Sequence, residues 1–221
     1  MSELFNIERV LGFCEKVWYF FIVNLLFIGS NIPVLLFLLF VGVQQIGECL
    51  PLFLLSLLPM GPALGAVFYT MNRLIRGTEG RVLRDYKKGY CSDLKQKILL
   101  TAGQLFAILV FWTNIRFFSL QIPVLPLEIL FVILFAVSVL ITPNLYMLIA
   151  RYEMKNLQIV RTALTLLIAR PVATIGNIAA LAVVLMAYEL AAGTTVLFMG
   201  SIYGFLVMFM NQGVLRSLEQ E

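Results

Sequence analysis

The chain has 221 residues, of which 61% are hydrophobic and 13% charged, against about 45–50% and about 25% in an ordinary soluble domain. So much apolar surface with so few charges excludes a water-soluble globular fold of this size and makes lipid the surrounding solvent. The absence of His removes the commonest general base and the commonest transition-metal ligand.

From the N-terminus, residues 1–16 read as a cytoplasmic amphipathic segment. Leu4, Ile7, Leu11 and Cys14 recur at helical spacing, with Glu8, Arg9 and Glu15 on other faces. Glu3, Glu8 and Glu15 stand where a signal peptide would be basic, and the apolar run that follows is too long for one, so retention is expected. Residues 17–211 form the expected membrane domain. A spanning helix needs roughly 20 mostly apolar residues, and six stretches qualify: Val17–Val43, Leu50–Ile75, Ile98–Phe118, Leu127–Leu148, Val172–Leu190 and the short, glycine-containing Gly193–Asn211. Pro33 in the first stretch and Pro51, Pro59 and Pro62 in the second predict kinks, because proline removes a backbone donor and crowds the preceding turn.

Two basic loops are expected, at residues 73–97 and 151–171. With the N-terminal segment and the tail at residues 212–221 they hold every Lys and Arg except Arg116. Cytoplasmic loops carry the basic excess, so both termini are predicted to be cytoplasmic. The second loop contains an amphipathic segment, Tyr152–Ala169, with Leu157, Val160, Leu164 and Leu167 on its expected apolar face and Pro171 marking its end. Arg84, Lys87, Lys88, Lys155 and Arg161 are the candidate partner-docking residues of the two loops. The charges are not interleaved with a stacking platform and form no nucleic-acid-binding motif, so nucleic acid is not an expected partner. Membrane lipid is one.

None of the charged residues falls near the middle of a predicted span. The in-membrane amides Asn24, Asn31, Gln104, Asn114, Asn144 and Asn177 are candidates either to line a cavity or to join helices. Gly61 with Gly65 and Gly200 with Gly204 form Gly-x-x-x-Gly patterns, expected to serve packing within the chain or a homo-oligomer. Span two, its loop and span three follow the same grammar as span four, its loop and span five. Cys14 and Cys91 are predicted on the opposite side from Cys49, so no disulfide framework follows. No nucleophile–base pairing, metal motif, phosphate loop or dinucleotide fingerprint is present. Catalytic, cofactor-binding and metal-binding residues are therefore expected to be none, and the chain is expected not to be an enzyme.

The segments Asn24-Leu-Leu-Phe-Ile-Gly-Ser-Asn-Ile-Pro33, Pro59-Met-Gly-Pro-Ala-Leu-Gly-Ala66, Arg84-Asp-Tyr-Lys-Lys-Gly-Tyr90 with Asp93-Leu-Lys-Gln-Lys97, and Pro143-Asn-Leu-Tyr-Met-Leu-Ile-Ala-Arg-Tyr152 with Thr162-Ala-Leu-Thr-Leu166 resemble, in this order, the YesL-like bacterial membrane proteins. The resemblance covers most of the chain. It implies a plasma membrane protein of Gram-positive-type bacteria, without assigned activity, of a kind often encoded beside carbohydrate uptake and breakdown systems. The expected fold is an all-α polytopic bundle of about six spans. The expected role is a non-enzymatic accessory or regulatory component, with carbohydrate ABC transporter components as possible partners. A small-solute (sugar-type) transporter or channel, and a structural or lipid-organising protein, are the alternatives.

Overall fold

The computed structural model describes residues 2–120 and 124–218, with side chains described over 9–120 and 124–215. Among these residues the regular structure is entirely helical. The helices are α1 (Ser2–Ser30), α2 (Ile32–Phe40), α3 (Leu50–Ser56), α4 (Met60–Ile75), α5 (Val82–Cys91), α6 (Leu94–Leu120), α7 (Leu125–Leu140), α8 (Thr142–Arg151), α9 (Asn156–Ala169), α10 (Pro171–Leu190), α11 (Ala192–Thr195), α12 (Met199–Met210) and α13 (Gln212–Leu218). In hydrocarbon every backbone donor and acceptor must be paired inside the chain, which helices achieve locally.

Five stretches are long and apolar enough to cross a membrane: Arg9–Ser30, Leu50–Ile75, Leu94–Leu120, Leu125–Arg151 and Pro171–Leu190. The sixth expected stretch is divided. Its main helix, α12, has 12 residues, about 18 Å at 1.5 Å per residue, short of the hydrocarbon thickness of about 30 Å. The first expected stretch, Val17–Val43, is also divided, at Asn31, where Pro33 enters the first turn of α2. The N-terminal segment is not a separate surface helix, since α1 continues from Ser2 through the span without a break. Of its expected apolar face, Leu4 and Ile7 lie outside the described side chains, and Leu11 and Cys14 are exposed.

The hub is α4, which packs against α1, α5, α6, α8 and α12. Its sequence explains this position. Small residues let neighbouring backbones approach, and a Cβ added at Gly61 would meet the Thr101 side chain, while one at Gly65 would lie 3.0 Å from Cε of Lys97. One glycine pair therefore seats α6. In the other, Gly200 faces Phe27 and Asn24 of α1, and Gly204 faces Val67 of α4. Both patterns are covered within the chain. By contrast α7 has no fully buried residue and packs chiefly on α6.

The amphipathic helix of the second loop presents a different face from the expected one. Ile159, Ala163 and Leu166 are the buried positions of α9, whereas Leu157 is 74% exposed. The helix is apolar on more than one side, and packing against α8 and α10 selects the stripe containing the small Ala163 over the stripe of Leu157, Val160, Leu164 and Leu167.

Candidate functional site: a cavity where three helix breaks meet

Pro59 closes the break between α3 and α4 and Pro62 lies in the first turn of α4, and Pro143 sits just past the break between α7 and α8. In both places proline denies the ladder a donor. The break between α11 and α12 has no proline. Asn24 inserts there from α1: its Nδ2 donates to the Val196 carbonyl at 2.7 Å, and its Oδ1 accepts from the Gly200 N–H at 2.8 Å. A side chain inserted in the backbone ladder is a sufficient cause of such a break.

These breaks converge. A cavity of about 400 Å³ is lined by Leu57 and Met60 from the first, Thr142 and Pro143 from the second, and Met199 and Gly200 from the third. α6 and α10 complete the wall through residues such as Leu105, Ile108, Leu181 and Val184. The volume falls within the roughly 300–1,000 Å³ of small-molecule sites. Among the described residues no charged side chain lines it.

Its polar groups are few and mostly engaged with each other. Thr101 Oγ1 lies 2.7 Å from the Tyr146 hydroxyl and also donates to the Lys97 carbonyl. Gln104 Nε2 donates to the Ser138 carbonyl at 2.8 Å and the Thr142 hydroxyl at 2.6 Å, across the second break. Asn177 lies in a buried amide chain: its Nδ2 donates to Asn144 Oδ1 at 3.0 Å, and its Oδ1 accepts from Asn211 Nδ2 at 2.7 Å. Asn144 Nδ2 and Asn211 Oδ1 end this chain without partners among the described residues.

Of the six candidate amides, Gln104 and Asn177 line the cavity. Asn144 backs it through Asn177, and Asn24 shapes it by holding the third break. Asn31 and Asn114 donate to carbonyls four residues earlier in their own chain, Phe27 and Val110, and do not reach it. Thr101, Tyr146 and Asn211 were not among the candidates, although Tyr146 lies within the quoted Pro143–Tyr152 segment. Their role depends on helices that meet only in the fold.

A second constellation holds α5 against the bundle. Asp85, almost fully buried, accepts from Arg73 at 2.5 Å and from the Gly80 N–H at 2.8 Å. Arg73 also donates to the Thr78 carbonyl. Tyr86 meets the Ser30 hydroxyl at 3.0 Å, and burial pushes its phenol above the ordinary tyrosine value, so it stays a neutral hydrogen-bonding partner. At the far end Lys97, only 1% exposed, donates to the Gly89 and Ser92 carbonyls at 2.5 and 2.6 Å. A cation there complements the negative end of the α5 dipole. The loop lysine Lys97 is thus a buried structural group on α6. Arg84, Lys87 and Lys88 on α5, Arg161 on α9 and Lys155 just before α9 are all exposed.

Residues 20–115 match the family model described as protein of unknown function, DUF624. The DUF624 match agrees with the resemblance to YesL-like proteins without carrying that name. It includes the breaks at α1/α2 and α3/α4, the α5 constellation and the α6 wall of the cavity. The α8, α10 and α12 walls lie beyond it. No match was found among curated proteins or among solved structures.

Proposed function

We propose that this integral membrane protein is a non-enzymatic accessory or regulatory component of a bacterial plasma membrane, linked to carbohydrate uptake. Both termini face the cytoplasm, and residues 193–211, which hold α12, make the sixth passage. The observation that supports a docking role is the arrangement of α5 and α9. Each buries one face on the bundle, while Arg84, Lys87, Lys88, Lys155 and Arg161 remain outward. The carbohydrate link, with ABC transporter components as partners, rests on the YesL-like resemblance. Both Gly-x-x-x-Gly faces are covered within the chain, so a homo-oligomer would be held by other surfaces.

The test is affinity purification from native membranes. A transporter component is expected with the native chain and is lost when the five basic residues are replaced by Glu. Recovery of no transporter component, under conditions that preserve known complexes, overturns the reading.

A second reading, a small-solute transporter or channel, is favoured by the convergence of interrupted helices on one cavity, since such helices often line solute sites. Proteoliposome uptake over a panel of mono- and oligosaccharides tests it, and null flux throughout removes the sugar version.

A further inference from the structure

The cavity at the three helix breaks has a chemistry that narrows its occupant, independently of what docks on α5 and α9. Any ligand must match the free hydrogen-bonding capacity of the walls, because a buried polar group without a partner is costly on either side. That capacity is small. Thr101 and Tyr146 bond each other, the Gln104 amide nitrogen is used twice, and the two polar atoms of Asn177 are held by neighbouring asparagines. Two polar atoms of lining residues bond to no described residue: the Gln104 Oε1 acceptor and the Tyr203 hydroxyl. A sugar, with a hydroxyl on most carbons, would leave several of its own groups unpaired against Leu57, Leu64, Ile108 and Leu181. A carboxylate or phosphate would find no cation among the described lining residues.

We infer that this cavity binds the hydrocarbon chain of a neutral amphiphile bearing an uncharged hydroxyl, for which Gln104 Oε1 and the Tyr203 phenol are the available polar partners. The hydrocarbon lies against the leucine and isoleucine walls of α6 and α10. Access is lateral, since α7 packs on α6 while α10 packs on α9, α11 and α12, and Val139 of α7 and Ile178 of α10 line the same space from different packing groups. The hydroxyl can come from a free long-chain alcohol or from the head of a diacylglycerol.

The experiment uses the full chain in nanodiscs of saturated phosphatidylcholine. The probes are diazirine-bearing hexadecanol, diazirine-bearing diacylglycerol, diazirine-bearing palmitate and a diazirine-bearing glucose, with labelled peptides mapped by mass spectrometry. Labelling by either alcohol is expected on peptides holding Leu105, Ile108 and Leu181, removed by the unlabelled compound, and weaker for palmitate and glucose. Hexadecanol alone identifies a free alcohol as the source, diacylglycerol alone a membrane lipid, and each supports the site. Filling the space with Leu105→Trp or Leu181→Trp reduces this labelling by about tenfold or more. Tyr203→Phe, which deletes a hydroxyl without a described partner, reduces the preference for the alcohols by about three- to tenfold. An unchanged unfolding temperature in each variant shows that loss of label is not loss of fold, and where one Trp variant unfolds the other decides. Labelling spread equally over the outer face of α7 at Ile129 and Ile133 and unaffected by both Trp variants, or cavity labelling by glucose and not by the alcohols, overturns the inference.

Discussion

Gly204 shows how a residue with no side chain governs the bundle. A Cβ at this position would fall 2.3 Å from Val67 Cγ1, inside any real contact, and Val67 is itself fully buried. α12 or the Val67 rotamer must move to admit even one methyl. Gly204→Ala is therefore expected to destabilise the protein by about 1–3 kcal/mol, the usual cost of overpacking a filled interior. Gly103→Ala, where nothing lies within 4 Å, is expected to be neutral or slightly favourable because helix interiors prefer alanine. Thermal unfolding in detergent measures both, and equal midpoints would contradict the close approach of α12 to α4. Asn24 makes the complementary point. A hydrogen bond within a membrane is worth about 0.6 kcal/mol on average, so the importance of Asn24 lies in the break it maintains more than in the energy of its two bonds.

Among the elements, α5 is the least expected. Its composition is that of a soluble surface helix, yet Asp85, Tyr86 and Gly89 are buried against the bundle. A Cβ at Gly89 would lie 3.0 Å from the Ala66 Cα, so backbone meets backbone there. The helix is fastened at its start through Arg73 and Asp85 and at its end through Lys97. The corresponding corner between α9 and α10 is built alike: Thr174, the fourth residue of α10, donates to the Leu167 carbonyl at 3.2 Å, as Lys97, the fourth of α6, does to Gly89 and Ser92. The repeated grammar of the two halves thus extends to the way each amphipathic helix is joined to the span after it. Lys97→Met keeps the shape and removes the charge. It is expected to raise amide exchange in residues 86–92 by roughly 5- to 30-fold, from about 1–2 kcal/mol of lost capping, while leaving α10 unchanged. Equal protection in both proteins would show that packing alone retains α5.

For the whole molecule, three cysteines report the orientation. All are unpaired: Cys14 and Cys91 are exposed and Cys49 partly so. With both termini cytoplasmic, a membrane-impermeant maleimide added to intact cells is expected to label Cys49, and Cys14 and Cys91 only after permeabilisation. Labelling of Cys14 or Cys91 from outside would reverse or break the proposed topology. The charge distribution that predicts this orientation is a property of the loops and the tail, and it is independent of how residues 193–211 divide between α11 and α12.

The apolar runs by themselves determined the helical class and the approximate positions of five long helices, because partition into hydrocarbon depends on the sum of local side-chain transfer energies. Pro33, Pro59 and Pro62 likewise marked real breaks, since the loss of a backbone donor is also local. What only the tertiary structure decided were the relations between distant segments: Asn24 entering the ladder at Gly200, Lys97 drawn from a basic loop into the interior, the packed stripe of α9, and three breaks opening on one cavity. Each of these depends on which helices stand side by side. Chain order does not specify that neighbourhood, because within lipid nearly every face of these helices is apolar enough to pack.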